Sequence, residues 1–130
     1  MPQSRCIAIV DDDASVRNAT GSLLRSTGLA VRTFGSAVDL LVAADRDQIA
    51  CLITDVQMDP IGGVELVRRL RVDGVTIPVI FITAFPDERI RERVLASGAA
   101  GFFAKPFDGQ ALIECVEAAM RAPGTGAGEA

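Results

Sequence analysis

Asp11, Asp12 and Asp13 follow the apolar run Cys6–Val10, and Asp55 follows Ala50–Thr54. Thr83 closes the run Ile77–Ile82, and Lys105 follows Gly101–Ala104. Carboxylates, a hydroxyl and an ammonium brought to one place suit phosphoryl transfer, where chemistry is mostly positioning and charge neutralisation. Two carboxylates about 4 Å apart repel by roughly 4 kcal/mol at an effective dielectric of about 20. Asp11, Asp12 and Asp55 together therefore need cations. Lys105 supplies one. An all-oxygen site with few protein ligands and retained waters suits Mg²⁺, and Mn²⁺ could substitute. Asp55 stands alone after its run, facing the acidic pair, and is the candidate nucleophile, able to become an acyl phosphate. Thr83 can donate a hydrogen bond to a phosphoryl oxygen, and Lys105 can contact another. Each residue also has an ordinary use. Asp13 reads as a helix N-cap, while a lone strand-end Asp and Lys-Pro are turn chemistry. Their joint occurrence after successive apolar runs is what points to a site.

These side chains can meet only if the runs lie side by side. The runs are Cys6–Val10, Leu29–Phe34, Ala50–Thr54, Ile77–Ile82 and Gly101–Ala104. The first, third and fourth are nearly continuous in Ile, Val, Leu, Phe or Cys, as strands buried on both faces are. The second alternates Val31 and Thr33 against Arg32 and Phe34, which suits a more exposed place. Helical stripes lie between the runs: Val16, Ala19 and Leu23; Leu40 and Leu41 after Ser36; Leu66, Val67 and Leu70; Ile90, Val94 and Leu95; Leu112, Val116, Ala119 and Met120. Asp13, Asp87 and Asp108 are expected N-caps, and Gly28, Gly74 and Gly98 expected C-caps. Strict alternation of this kind predicts an α/β, flavodoxin-like doubly wound five-stranded parallel sheet, order 2-1-3-4-5, with helices on both faces. Sheets of that kind bind ligands outside the carboxyl ends of their strands. Asp11, Asp55, Thr83 and Lys105 all stand there.

Composition narrows the chemistry. The chain has 130 residues and contains no His, Trp or Tyr, which excludes Ser-His-Asp triads, Cys-His dyads and His-ligated zinc. Apolar residues make up 49%, enough for a buried core, and the formal net charge is -4, which argues against direct nucleic acid binding. Cys6, Cys51 and Cys115 are far apart and each sits in an apolar run, so they are expected to be small buried hydrophobes in a reducing cytosol. Met1 to Arg5 is polar and leads straight into Cys6–Val10, which is too short for a signal-peptide core. The apolar stretch from Val75 to Phe85 is broken by Thr76, Pro78 and Thr83 and falls short of the ~20 residues a membrane helix needs. The expectation is one cytoplasmic domain over residues 1–122, with the Gly-rich residues 123–130 as a flexible tail or linker stub and no membrane contact.

Ile9-Val10-Asp11-Asp12-Asp13, Asp55 with Met58 and Gly63 after it, Thr83-Ala84, and Lys105-Pro106-Phe107 resemble the response-regulator receiver domain of two-component signalling, from about Arg5 to Arg121. The resemblance implies that Asp55 is the phosphoacceptor. Asp11, Asp12 and Asp55 would hold Mg²⁺, with the backbone carbonyl of Gln57 completing the protein ligands. Lys105 would be the pocket lysine, joined to Pro106 by a cis peptide. Thr83 and Phe102 would be the switch pair. The phosphoryl group would come from a phosphohistidine on a sensor histidine kinase or a histidine phosphotransfer protein. Switching would reshape the face of the fourth helix, fifth strand and fifth helix, where partners bind or a homodimer forms. Glu88, Arg89, Glu92 and Arg93 lie there, at spacings that also suit plain intrahelical ion pairs. By this likeness the chain is not an enzyme in the usual sense, since it catalyses only its own aspartyl phosphorylation and dephosphorylation. Receivers use the places of Gln57 and Phe85 to govern water access to the acyl phosphate, and the bulk of Phe85 implies slow self-hydrolysis. The chain departs from the family at Asp59, where Pro is usual. There an extra carboxylate could alter ion affinity or loop shape, or Asp-Pro could be a surface turn.

The rival within the same fold is a non-phosphorylated pseudo-receiver, a protein interaction module. A haloacid-dehalogenase-type phosphatase would need a second Asp two residues past the nucleophile, where this chain has Gln57. A flavodoxin would need a phosphate-cradling loop where this chain has three carboxylates.

Overall fold

The computed structural model describes residues 6–43 and 46–121. The expectations for residues 1–5 and for a tail at 123–130 lie outside the described residues. The alternation in the sequence becomes β1 (Cys6–Val10), α1 (Ala14–Arg25), β2 (Val31–Phe34), α2 (Ala37–Leu41), a 3-10 turn at Arg46–Gln48, β3 (Ile49–Asp55), α3 (Gly63–Val72), β4 (Val79–Thr83), α4 (Glu88–Ala96), β5 (Gly101–Ala104) and α5 (Gly109–Arg121). The strands form one parallel sheet in the order β2-β1-β3-β4-β5. This is the doubly wound arrangement the sequence predicts.

Alternate residues of the central strands feed two cores, which is why their runs are apolar throughout. Ile7, Ile9, Ile53, Ile80 and Ile82 face Leu24 of α1 and Leu112, Ile113 and Val116 of α5. Ala8, Val10, Leu52 and Phe81 face Leu40 of α2, Leu66 and Leu70 of α3 and Val94 of α4. Each fully buried Ile or Leu contributes about 1.5–3 kcal/mol. β2 is the half-exposed edge, as its alternation implies.

The helix ends follow the expected chemistry. Asp13 accepts from the backbone N of Ser15 and Val16, Ser36 from Asp39, Asp87 from Ile90, and Asp108 from Gln110. Gly28, Gly74 and Gly98 have φ of 91°, 86° and 88°, a left-handed conformation that costs glycine little.

The helix faces differ in places from the expected stripes. In α1 the buried residues are Thr20, Gly21 and Leu24; Val16 and Leu23 are half-buried and Ala19 is exposed. Gly21 faces β2 there, since a Cβ on it would lie 3.5 Å from Thr33 Cγ2 and 3.8 Å from Val31 Cγ1, at ordinary contact distance. Leu95 and Met120 are exposed, each in the last turn of its helix, and Ile113 takes the core place expected of Met120. β3 runs through Asp55 itself, so the sheet holds that residue directly. Cys6 and Cys51 are buried, but Cys115 is only half-buried, with its Sγ 3.7 Å from the carbonyl of Ala100. Burial, with Cys115 adding to it, pushes the Cys51 thiol up to about 12. Among the described residues no helix is long and apolar enough to cross a membrane.

Candidate functional site

Parallel register brings four loops to one edge. Val10 pairs with Thr54, Asp55 with Ile82, and Thr83 with Ala104. Asp11, Asp55, Thr83 and Lys105 therefore emerge together at the carboxyl ends of β1, β3, β4 and β5. Carboxylate oxygens of Asp11, Asp12 and Asp55 all lie within 4.8 Å of one another. Lys105 Nζ donates to Asp55 Oδ2 at 2.9 Å and stands 3.0 Å from Asp11 Oδ2.

The backbone sets each group. Asp11 is fully buried; its Oδ1 accepts from Asp13 N at 2.9 Å and its carbonyl accepts from Arg17 Nη1 at 2.7 Å. Asp12 is exposed at the mouth. Gln57 N donates to Asp55 Oδ1 at 3.2 Å. Gly63 N donates to Val56 O at 2.9 Å, which folds the loop after β3 back onto the strand. Only glycine allows that approach, because a Cβ on Gly63 would collide with the Asp55 carbonyl oxygen. Lys105 N donates to Thr83 O at 2.8 Å, and the Lys105–Pro106 peptide is cis, as the resemblance implies.

Electrostatics follow from this crowding. Burial raises the Asp55 carboxyl above its ordinary value; Lys105 works against that rise and Asp11 adds to it. Burial works to lower the Lys105 ammonium, but the hydrogen bonds and charges of Asp55 and Asp11 outweigh it and hold it above the usual lysine value. Asp11 Oδ2 is buried, and the Lys105 ammonium 3.0 Å away, shared with Asp55, is the group that meets it. One ammonium shared by two buried carboxylates leaves negative charge that is costly unless a further cation meets it. Three carboxylates so placed fit a hard divalent ion.

Thr83 is fully buried, and its hydroxyl points to the loop after β3. Oγ1 donates to Gln57 Oε1 at 2.5 Å and accepts from Phe85 N at 3.0 Å. Phe102 is half-buried against the core that contains Phe81, its register partner on β4. Asp59 is exposed and is not one of the three clustered carboxylates, and the Asp59–Pro60 peptide is also cis. Among the described residues Glu88, Arg89, Glu92 and Arg93 are exposed and form none of the ion pairs their spacing allows. A mostly apolar depression of about 390 Å³, lined by Val16, Ala19, Leu23, Pro106 and Phe107, opens beside Lys105.

Two contacts lie beyond the sequence pattern. The Gln57 side chain, rather than its carbonyl alone, reaches Thr83, and Arg17 ties α1 to the Asp11 carbonyl. Arg17 stands six residues past Asp11, and a basic residue in the second turn of the following helix is the only signal available.

A family model for the response regulator receiver domain matches residues 7–117. Response regulator protein TodT of Pseudomonas putida is 39% identical over 115 residues, covering 88% of this chain and 51% of that protein. Transcriptional regulatory protein FixJ of Azorhizobium caulinodans is 38% identical over 120 residues, covering 92% of this chain and 57% of that protein. The chain thus spans about half the length of the curated relatives it matches. Among solved structures, FixJ-N superposes with a TM-score of 0.80 at 35% identity, over 92% of this chain and 96% of that one. A response regulator receiver protein from Burkholderia phymatum gives a TM-score of 0.76 at 43% identity, over 92% of this chain and 98% of that one.

Proposed function

The chain belongs to the response regulator receiver domain family of two-component signal transduction, and from that premise we propose that it carries its signal as a phosphoryl group on Asp55. One observation carries the proposal: the Asp55 carboxylate shares the Lys105 ammonium with Asp11 and clusters with Asp11 and Asp12 at the edge where four strands end.

The chain contains no His, so the donor phosphohistidine belongs to another protein or domain, a sensor histidine kinase or a histidine phosphotransfer protein. The apolar depression beside Lys105 offers that donor an apolar surface next to the acceptor. An Asp55 oxygen attacks phosphorus; the O–P bond forms as the N–P bond breaks, and the imidazole leaves. Lys105 offsets charge on the phosphoryl oxygens and keeps the acceptor oriented. Asp11, Asp12 and Asp55, with the Gln57 carbonyl, would hold Mg²⁺, which when bound neutralises phosphoryl charge that one ammonium cannot. Hydrolysis returns Asp55 to its starting state, so the only reaction is the chain's own phosphorylation and dephosphorylation.

The phosphoryl group brings charge and new acceptor oxygens close to Thr83. Thr83 lies opposite Ala104 and diagonal to Phe102 on one face of the sheet. Its movement frees space for Phe102, and the α4-β5-α5 surface changes with it, for a partner or a second copy. Relatives named as transcriptional regulatory proteins suggest that the signal ends in transcription, with this acidic domain acting through protein contacts rather than on DNA. We place the receiver unit within residues 1–122, in the cytoplasm, where its kinase must reach it.

Acetyl phosphate with Mg²⁺ tests the proposal. Stoichiometric, hydroxylamine-labile labelling that is absent in Asp55→Asn supports it. No labelling of the wild type would leave a pseudo-receiver that works by binding alone.

A further inference from the structure

We propose that the Gln57 side chain is a latch on Thr83, holding the hydroxyl away from Asp55 and setting how far the resting state outweighs the switched one. The latch rests on Asp55 being the acceptor, and it adds a residue and an energy to that switch.

A threonine hydroxyl has one proton to donate. In Thr83 that proton goes to Gln57 Oε1 at 2.5 Å, while Oγ1 accepts from Phe85 N at 3.0 Å. Thr83 itself is fully buried, although Gln57 is exposed, so the hydroxyl meets its partners at a part-buried bond. The hydroxyl cannot donate to a phosphoryl oxygen and to Gln57 at once. Switching must break one neutral hydrogen bond to make another.

The latch is part of the acceptor's own loop. Gln57 stands two residues past Asp55, with its backbone N on Asp55 Oδ1. A charged phosphoryl oxygen is a stronger acceptor than a neutral amide, so phosphorylation prevails. The amide still subtracts its own bond from the gain, and a latched resting state suppresses switching without phosphate. Gln57 acts through Thr83 and is a positioning residue.

The test compares wild type, Gln57→Leu, Thr83→Val and the double variant. Leu keeps the size of Gln and the backbone carbonyl but offers Thr83 no acceptor. The first measurement is beryllofluoride affinity by calorimetry at saturating Mg²⁺, with beryllofluoride standing in for the phosphoryl group. Gln57→Leu should tighten binding about fivefold, the worth of one net hydrogen bond. The same substitution on Thr83→Val should change affinity by less than about twofold, as uncoupled changes do. The second measurement is the χ1 angle of Thr83 from three-bond couplings without Mg²⁺ or beryllofluoride. One rotamer is expected in the wild type and averaging among rotamers in Gln57→Leu. Equal affinities for Gln57→Leu and wild type, equal tightening in both backgrounds, or an unchanged Thr83 rotamer would each overturn the latch. Failure of the wild type to bind beryllofluoride would overturn the acceptor assignment and the latch with it.

Discussion

The Lys105 ammonium stands 2.9 Å from Asp55 Oδ2 although 50 residues separate the two in sequence. The same nitrogen is 3.0 Å from Asp11 Oδ2, so one cation serves two buried carboxylates. Asp12 adds a third carboxylate, and the pocket remains negative. Lys105 is therefore a structural counter-ion as well as a contact for phosphate.

Lys105→Ala should lower the stability of the metal-free protein. Its side chain is 14% exposed, so the loss sits at the low end for a broken buried pair, about 3 kcal/mol. Saturating Mg²⁺ should restore most of it, because the ion offsets the same carboxylates. Chemical denaturation with and without Mg²⁺ checks both, and a loss that Mg²⁺ leaves untouched would mean that the lysine matters for packing rather than charge.

Asp55 predicts a particular pH dependence. Burial holds its folded carboxyl above the ordinary value of 3.8, with Lys105 opposing and Asp11 assisting. The folded state thus binds this proton more tightly than the unfolded chain does. Stability from this group is present below 3.8 and is lost as pH rises through the raised folded value. Metal-free Asp55→Asn should melt above the wild type at neutral pH. The gap should close as pH falls toward 3.8, and a gap that persists in acid would contradict the assignment.

The loop after β3 depends on Gly63, whose missing Cβ makes room for the Asp55 carbonyl. Gly63→Ala should cost about 1–3 kcal/mol through backbone displacement. It should also slow phosphorylation more than it perturbs the distant α1 amides. Urea melts and phosphorylation rates measured on the same preparation check this, and a variant of wild-type stability would show that the loop accommodates a methyl group.

Phe85 follows Thr83 by two residues, is 72% exposed, and donates its backbone N to the Thr83 hydroxyl. Replacing its ring with a polar amide admits and orients water near the acyl phosphate. Phe85→Asn should shorten the lifetime of the phosphorylated protein. Equal or longer persistence of label in that variant counts against the role.

Much of this was legible in the residue order, for a physical reason. A doubly covered parallel sheet forces continuous apolar strands, and the residue after each strand must face the ligand edge. Asp11, Asp55 and Lys105 were therefore visible in one dimension, as were the left-handed glycines at 28, 74 and 98. Side-chain direction was not. Gln57 reaches Thr83 across 26 residues, and its place two residues past Asp55 pointed to its carbonyl and to water access but not to this side-chain contact. The buried face of α1 was hidden because Thr20 and Gly21 are not hydrophobic residues, and they face the sheet for smallness and fit. Leu95 and Met120 keep the helical period yet are exposed in the last turns of α4 and α5, where period alone does not bury them.

The most direct measurement is to reduce the phosphorylated protein with borohydride and map the product by mass spectrometry. An acyl phosphate becomes an alcohol, so phosphorylated aspartate is read as homoserine at its own position. Homoserine at position 55 is the expected result. Homoserine at 11 or 12, or none after demonstrated labelling, would contradict the account at its centre.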